Sequence, residues 1–494
     1  MSSDEYTDQT RKKKICFTCV GESFLSDEIH LKGKRGKCSY CETLARCYSL
    51  ERLAERVEEA FESHYVRTSD QPSSLNYAMM SDKESNYCWY REGEPVAEAI
   101  MNAAEIPKEA AEDVHEILAD KYSDIEAAKC NEETEFDTDS HYAEKPIGAG
   151  EWWGKWREFE RSLTTETRFF SRSAFSLLQS AFEGIGTMKS FDGCPAVVEA
   201  GSGTGLPAIF RARFFQSEED LEKALAHPEL HLAPPPPARA RAGRMNAEGI
   251  SVFYGANRPE VALAEVRPPV GSWVVVARFD VVRPLRLLDL EALTEIWCHG
   301  SIFDPQYVSH LERVMFLRHL AQLIGSPVLP DRERLEYIPT QAIADFLAAG
   351  NTPPLDGMIF PSVQAGKEGL NLVLFHKAAR VEGHDLPKGT KISVSLGHQT
   401  EDGWEADYTV FEETPAEKAS TVAPAEESPG LWWTVFEPAP FEYHSVKEEA
   451  SLYAPTLRID RENIEVRQVQ LVEFKTDDNC VRYYRREQNE REDF

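Results

Sequence analysis

The sequence predicts a multidomain α+β protein, and three features lead to this fold class. With 494 residues the chain exceeds what one hydrophobic core usually serves, so several domains are expected. Apolar residues recur at helical spacing in the first part of the chain, whereas apolar strands and helices follow one another in the second part. Two Cys-X-X-Cys pairs near the start predict a small metal-held segment. The predicted domains are a zinc ribbon at 1–48, a helical domain at 49–190, a linker at 191–208, a mixed domain at 209–380 and a β-rich extension at 381–494 that contains a second linker at 414–430.

Composition limits the classes of partner. The chain carries 84 acidic and 54 basic residues, a formal net charge of -30, which repels the phosphate backbone of nucleic acids. It contains no apolar run of membrane-spanning length, and its first residues, MSSDEYTDQTRKKK, lack the apolar core of a secretory signal. We therefore expect a cytoplasmic protein that has no membrane partner.

The cysteine spacing indicates one zinc ion. Cys16 and Cys19 form the first pair, Cys38 and Cys41 form the second, and 18 residues lie between the pairs. This spacing lets four thiolates converge tetrahedrally on the metal. We interpret the zinc as structural, because so short a segment has no core of its own. The alternative is a sensor or a contact with nucleic acid, which the basic residues around the pairs favour; nucleic acid is expected at no other part of the chain.

The glycine-rich segment AVVEAGSGTGLP, residues 196–207, allows two interpretations. Its glycines follow an apolar strand, which suits the strand-turn-helix of a nucleotide site, as in methyltransferases. Pro207 follows the glycines at once, however, and the next stretch has the pattern of a strand rather than a long helix. We favour a flexible linker over a methyltransferase site.

Polar residues of fixed type stand at the ends of apolar elements in the second half of the chain. In order, the pieces are IFRAR around Arg211, AGRMN around Arg244, SVFYGA with Tyr254, PEVALAEVRPP with Glu265, YIPTQAIADFL, DGMIFPSV with Ser362, and GLNLVLF. Side chains at element ends are available for chemistry because the scaffold behind them is packed. In order and wording this segment resembles the RES family, whose members break down NAD as toxins. The resemblance implies a fold similar to that of ADP-ribosyltransferases.

The resemblance implies roles in NAD cleavage for five side chains. Arg211 and Arg244 are expected at the diphosphate, because a guanidinium stays charged and offers a fork of donors. Glu265 is expected at the ribose, where a carboxylate stabilises the cationic sugar of the transition state. The ring of Tyr254 would stack on the cationic nicotinamide, and Ser362 would bind the amide or the ribose, or orient the acceptor. We assign Arg211, Glu265 and Ser362 as catalytic, and Arg244 and Tyr254 as NAD-binding.

Two positions of the predicted site are ambiguous: one departs from the family pattern, and the other has an alternative arginine nearby. Met245 follows Arg244, where the family commonly has tryptophan, and this places the fit of the substrate in question. Arg213 lies on the same strand face as Arg211 and would replace it after a shift of two residues. We prefer Arg211 because an apolar and an aromatic residue precede it, as in the family wording.

The helical region before this segment is similar, more weakly, to the HEPN-type domains that precede RES domains in some bacterial proteins. Leu50, Leu53 and Val57 recur at helical spacing, a second helix is expected after Pro107, and aromatic residues are dense between 151 and 182, as is typical of a core. Catalytic HEPN domains place an arginine and a histidine closer together than Arg56 and His64, which have seven residues between them. We therefore predict a non-catalytic helical domain.

Cleavage of the bond between nicotinamide and ribose has three outcomes. Water as acceptor makes the protein a glycohydrolase, phosphate makes it a phosphorylase, and a macromolecule makes it an ADP-ribosyltransferase. We expect hydrolysis, because no basic pocket beyond the two arginines predicts a phosphate site. A toxin or phage-defence effector of this kind needs restraint, so we expect an inhibitory or triggering protein partner, and also a homo-oligomer. The alternative function is a regulator that binds nucleic acid through the zinc ribbon and carries an inactive RES domain.

Overall fold

The computed structural model describes residues 3–82, 86–130, 132–146, 148–168, 170–329, 331–365, 369–401, 403–415, 454–473 and 476–485. The chain divides into two compact units. The first comprises Met1–Val197 and Asp289–Ser326, and the second comprises Val198–Leu288 and Pro327–Phe494. The linker predicted at 414–430 lies outside the described residues from position 416 onward.

The first unit begins with a helix and a small antiparallel sheet that carries the cysteines. These elements are the helix Ser3–Lys12, the strands Lys14–Cys16, Lys34–Lys37 and Leu44–Ser49, the short 3-10 helix Phe17–Cys19 and the helix Ser23–Lys32. The Leu44–Ser49 strand lies between the other two strands. The four cysteines of the two pairs therefore belong to one continuous piece of β structure and its connections.

Helices make up most of the remainder of the first unit. They are Leu50–His64, Ser74–Ser81, Val96–Ala104, Lys108–Lys121, Ile125–Cys130, Gly150–Thr165, Arg172–Phe182, Leu290–Thr294 and Tyr307–Gly325. Short strands accompany them: Tyr65–Arg67, His141–Glu144 and Glu94–Pro95 form one sheet, and Lys189–Ser190 pairs with Ile296–Trp297. The predicted helix faces are confirmed, since Leu53 and Val57 are fully buried and a helix begins directly after Pro107.

The aromatic stretch at 151–182 is largely core, as predicted. Trp156 and Phe182 are buried, and the ring of Trp152 stacks on that of Phe316 with centroids 5.3 Å apart. Phe316 belongs to the helix Tyr307–Gly325 of the same unit. Phe170 and Phe175 are exceptions, because their side chains are exposed.

An eight-stranded sheet forms the centre of the second unit. In spatial order its strands are Leu457–Gln468, Trp273–Val281, Ala208–Phe215, Phe253–Ala256, Leu370–Leu374, Gly357–Pro361, Leu285–Asp289 and Val197–Ala200. Helical segments accompany the sheet at Glu218–Ala226, Pro228–His231, Pro237–Arg239, Pro259–Glu265, Glu333–Asp345 and Phe346–Gly350. Sheet and helices together confirm the predicted α+β class. Across the described ranges, no helix combines the length and the apolar character that a bilayer crossing requires.

The two faces of this sheet bury different residues, and this decides where each strand side chain can reach. One face carries Ala256, which packs against Val261 on the helix Pro259–Glu265; we name it the helix face. The other face carries Ile209 and Phe253 in a separate core; we name it the far face. Because side chains alternate along a strand, residues adjacent in sequence point to different faces.

The segment predicted as a linker at 191–208 contributes a strand instead. Val197–Ala200 forms one edge of the central sheet. Gly201 has a φ of 145°, and its N–H donates to the carbonyl of Leu206 over 2.9 Å, which closes a turn. The turn leads directly into the strand Ala208–Phe215. The glycines thus connect two strands, and the helix that a methyltransferase-like nucleotide site needs does not follow them.

The C-terminal extension adds β structure, as its alternating pattern predicts. Leu457–Gln468 pairs with Trp273–Val281 and becomes the other edge of the central sheet. Lys391–Thr400 and Gly403–Glu413 form an antiparallel hairpin. Some of the extension therefore belongs to the same sheet as the predicted site residues.

Candidate active site

Glu265 is the last residue of the helix Pro259–Glu265, and its side chain is exposed. Proline at the first helical position suits the start of this short helix, because a proline has no N–H to leave unpaired there. The Glu265 Oε1 accepts two hydrogen bonds, from Oγ of Ser362 over 2.6 Å and from Nδ2 of Asn371 over 2.8 Å. Among the described residues, none donates to Oε2. The carboxylate is thus fixed through one oxygen and open at the other.

Ser362 holds this carboxylate from a buried position. It follows the strand Gly357–Pro361 and is 2% exposed. Its Oγ donates to Glu265 and accepts from the N–H groups of Gln364 and Ala365, over 3.2 and 3.1 Å. A hydroxyl has one proton and two lone pairs, so its capacity is filled. Ser362 therefore orients Glu265 and has no free lone pair with which to act as a nucleophile.

Asn371 is a further residue in contact with Glu265, and the sequence analysis does not single it out. It lies in the strand Leu370–Leu374, opposite Ala256 on the neighbouring strand, and is 8% exposed. The pairing places it on the helix face, below Glu265. One signal was present in the sequence, because asparagine interrupts the apolar run LNLVLF, and a polar residue in a central strand needs a partner.

The predicted Gly-Arg turn is tied to Tyr254. Residues 243–246 form a tight turn, and Oη of Tyr254 accepts from the N–H of Met245 over 3.2 Å and donates to Oδ1 of Asn246 over 3.1 Å. A Cβ on Gly243 would stand 2.9 Å from that Oη, which is why glycine is needed there. Burial raises the pKa of Tyr254 to about 12, so the hydroxyl stays protonated at neutral pH. The hydroxyl of Tyr254 thus orders the turn that carries Arg244.

A helix holds the same turn from a second side. Thr340 Oγ1 donates to the carbonyl of Arg244 over 2.6 Å, and Gln341 Nε2 donates to the carbonyl of Gly243 over 2.8 Å. Both belong to the helix Glu333–Asp345, which contains the YIPTQ motif. Arg244 is half-buried, with its guanidinium carbon 5.8 Å from the ring centroid of Tyr337. The YIPTQ motif therefore contributes by fixing the backbone on which Arg244 stands.

Arg211 lies on the far face of the sheet, away from Glu265. Its guanidinium carbon is 4.8 Å from the ring centroid of Phe253, a far-face residue. Asn371, which binds Glu265, pairs with Ala256 on the helix face. The sheet separates the two groups. The structure therefore does not bring Arg211 and Glu265, which the sequence analysis assigns to one catalytic site, into a common cleft.

Arg213 shares the far face with Arg211 and does not restore the expected pairing. Its side chain is exposed and donates to the carbonyl of His231 over 2.6 Å. Burial lowers the pKa of Arg211 to about 10, and the nearby charge of Arg213 adds to this effect. Among the described residues, Nη1 of Arg211 has no hydrogen-bond partner. The other predicted guanidinium, that of Arg244, is carried by a turn that the hydroxyl of Tyr254 binds.

Residues 209–396 match the family model of the RES domain. The chain contains a RES domain. No curated protein and no solved structure matches the chain. The matched range begins at residue 209 and ends at 396, inside the strand Lys391–Thr400. It includes all five predicted site residues and Asn371.

The four cysteines of the two Cys-X-X-Cys pairs form one cluster outside the matched range. The sulfur atoms of Cys16, Cys19, Cys38 and Cys41 all lie within 4.8 Å of one another, with Cys16 and Cys41 3.5 Å apart. Zinc–thiolate bonds of about 2.3 Å in a tetrahedron place sulfur atoms about 3.8 Å apart, so these residues fit zinc. A hydrogen bond with Thr43 lowers the pKa of the Cys41 thiol to about 6, which favours the thiolate that a metal needs.

Proposed function

We propose that the RES domain of this chain binds NAD and cleaves the bond between nicotinamide and ribose. The RES family is associated with NAD-related toxins. The observation that carries the proposal is the carboxylate of Glu265, which Ser362 and Asn371 hold at one oxygen while the other stays open at an exposed helix end. A carboxylate fixed before substrate arrives needs little reorganisation during the reaction.

The chemistry of the bond explains why one fixed carboxylate suits it. As the bond between ribose C1′ and the ring nitrogen breaks, the electron pair leaves with nicotinamide and positive charge develops on the ribose. The open Oε2 of Glu265 would stabilise that charge and accept a hydrogen bond from a ribose hydroxyl. Water then adds to C1′ and releases a proton, so the products are ADP-ribose, neutral nicotinamide and one proton.

Arg244 is the guanidinium that we assign to the diphosphate of NAD. Its turn is held by the hydroxyl of Tyr254 and by the side chains of Thr340 and Gln341. An arginine offers two parallel donors to a phosphate, and a rigid backbone lowers the entropy that binding costs. Arg211 receives no substrate role in this proposal, because it lies on the other face of the sheet.

The direct test is release of nicotinamide from NAD by the full chain, followed by chromatography. We expect Glu265→Gln to reduce the rate by a factor on the order of one hundred or more, since the amide keeps the shape and removes the charge. Glu260→Gln is the matched control, because Glu260 lies on the same helix with an exposed side chain. Equal rates for the native chain and Glu265→Gln would contradict the role of Glu265.

The acceptor is distinguished by the product. We propose water, because Arg244 is the single guanidinium that we place at the substrate and it is assigned to the diphosphate. Hydrolysis gives free ADP-ribose at a rate that does not depend on phosphate. A phosphorylated ADP-ribose that forms only with added phosphate, or label transferred to a macromolecule, would instead identify a phosphorylase or an ADP-ribosyltransferase.

A toxin or defence effector that degrades NAD, as we propose, must be restrained in its own cytoplasm. We propose that the zinc cluster and the helices of the first unit supply this restraint or receive a trigger, through a protein partner or a second copy of the chain. Nicotinamide release should then rise when a chelator removes zinc from the full chain. If the untreated chain already releases nicotinamide at the full rate, and chelation leaves that rate unchanged, the proposed restraint is contradicted. Light scattering measures the oligomeric state.

A further inference from the structure

Asn371 has a second polar atom for which the mechanism above gives no use. The side chain is 8% exposed, and its Nδ2 donates to Oε1 of Glu265 over 2.8 Å. A carboxylate accepts hydrogen bonds and cannot donate them, so the amide must present its nitrogen to Glu265 and its oxygen elsewhere. Among the described residues, no donor reaches that Oδ1.

A buried acceptor without a partner weakens the free protein, because it has given up water and gained nothing in return. Asn371 lies in the strand Leu370–Leu374, between the strands Phe253–Ala256 and Gly357–Pro361, where an apolar side chain would pack without this cost. Such exceptions call for an explanation, and a ligand that completes the hydrogen bond is one. The position of the amide, bonded to Glu265, places this unused acceptor beside the open carboxylate.

We propose that Asn371 contacts the substrate: its Oδ1 accepts a hydrogen bond from a hydroxyl of the ribose whose glycosidic bond breaks, while its Nδ2 holds Glu265. This inference rests on the NAD-cleaving function proposed above. The ribose carries two neighbouring hydroxyls, which are donors. Oε2 of Glu265 and Oδ1 of Asn371 are two acceptors fixed to each other through one hydrogen bond, so each receives one hydroxyl.

The first test uses the pH profile of nicotinamide release by the full chain. Asn371→Asp keeps the shape and an acceptor oxygen, but it places a second carboxylate against Glu265. Two carboxylates that share a site cannot both ionise easily, so the apparent pKa of the acidic limb should rise by roughly one unit or more. A residue that supports only the fold would lower the rate without moving this limb.

Asn257→Asp is the matched control for the added charge. Oδ1 of Asn257 accepts from the N–H of Leu370, beside Asn371, over 3.0 Å, and an aspartate keeps that bond. We expect the acidic limb of this variant to stay where it is in the native chain. An acidic limb that moves in neither variant, or moves equally in both, would overturn the role of Asn371 at Glu265.

The second test identifies the donor on the substrate. We compare kcat/KM for NAD, for analogues that lack either hydroxyl on the nicotinamide ribose, and for an analogue whose ring carries an acetyl group in place of the carboxamide. In the native chain, removal of the hydroxyl bound by Asn371 should lower kcat/KM on the order of tenfold. In Asn371→Val the same removal should cost little, because the acceptor is already gone. If Asn371→Val instead abolishes the loss of kcat/KM caused by the acetyl group, and leaves the loss caused by removal of either hydroxyl unchanged, the assignment to the ribose is overturned.

Failure of this inference is distinguishable from failure of the proposed function. If the native chain releases no nicotinamide, the cleavage proposal is wrong, and calorimetric binding of NAD to the native chain, Asn371→Val and Asn371→Ser then tests the contact alone. Binding weakened tenfold or more in both variants, with thermal unfolding close to that of the native chain, supports it. Unchanged binding overturns it.

Discussion

Arg211 is half-buried on the far face of the sheet, and Glu265 lies on the other side. Arg211 stacks on Phe253 in the far-face core, and Nη1 lacks a hydrogen bond among the described residues. Burial lowers its pKa to about 10, below the ordinary value of 12.5. The charged form is therefore disfavoured in the folded state. At neutral pH, where the folded and unfolded states both carry the proton, Arg211 opposes folding by this penalty.

We predict that Arg211→Met leaves nicotinamide release unchanged and raises the free energy of unfolding by about 1 kcal/mol or more at pH 7. The folded pKa lies below the unfolded one, so between them the unfolded state binds more protons and the native chain gains stability as pH rises. The advantage of the variant should therefore shrink above pH 10. Denaturant unfolding at pH 7 and above pH 10 measures the difference in the free energy of unfolding between the variant and the native chain. Arg213→Met is the control at an exposed position. Loss of cleavage in Arg211→Met alone would return the substrate role to Arg211.

At the scale of elements, the Gly243–Asn246 turn acts as a rigid platform. Tyr254 binds it from the strand Phe253–Ala256, and the helix Glu333–Asp345 binds it through two side chains. Two elements, a strand close to the turn in sequence and a helix whose Thr340 lies 96 positions after Arg244, thus fix the backbone of one arginine. The Tyr254 ring could instead serve by stacking on nicotinamide, as the resemblance implies, and the two roles predict different results for one substitution.

We predict that Tyr254→Phe raises KM for NAD about tenfold with little change in kcat, because it removes both hydroxyl contacts to the turn and keeps the ring. The free energy of unfolding should fall by about 1–3 kcal/mol, since the N–H of Met245 loses its partner. Steady-state kinetics and denaturant unfolding measure the two effects. Tyr254→Leu, which removes the ring as well, shows whether stacking adds to binding. Unchanged KM in Tyr254→Phe, with a large loss in Tyr254→Leu, would favour stacking.

Local patterns in the sequence predicted elements well and their partners poorly. The apolar spacing of Leu53 and Val57 and the motif wording from residue 209 onward depend on neighbours in the chain, so both are confirmed. The face of Arg211 depends on which strands flank it, and the bond between Ser362 and Glu265 joins residues 97 positions apart. Neither can be derived from periodicity. Asn371 remained hidden because its strand is otherwise apolar.

At the scale of the whole chain, the first compact unit is formed by two separate stretches, Met1–Val197 and Asp289–Ser326. Residues 289–326 lie within the RES match, yet they belong to the first unit, where Phe316 stacks on Trp152. The domain boundary predicted near 190 therefore does not coincide with the boundary between the compact units. Removal of residues 1–185 would expose Phe316, so a truncation cannot test restraint cleanly, and substitutions at the metal are the better tool.

The cluster of Cys16, Cys19, Cys38 and Cys41 gives the sharpest prediction at this scale. Cys16 and Cys38 are buried, whereas Cys88 is exposed and lies outside the cluster. We predict that Cys38→Ser loses bound zinc and at least about 3 kcal/mol of stability, because the binding energy of a structural zinc is folding energy. For the first unit this corresponds to a fall in Tm of roughly 10 °C. Cys88→Ser should keep one zinc per chain and the native Tm. Metal analysis with thermal unfolding of both variants measures this, and an unchanged Tm after loss of zinc would show that the metal does not support the fold.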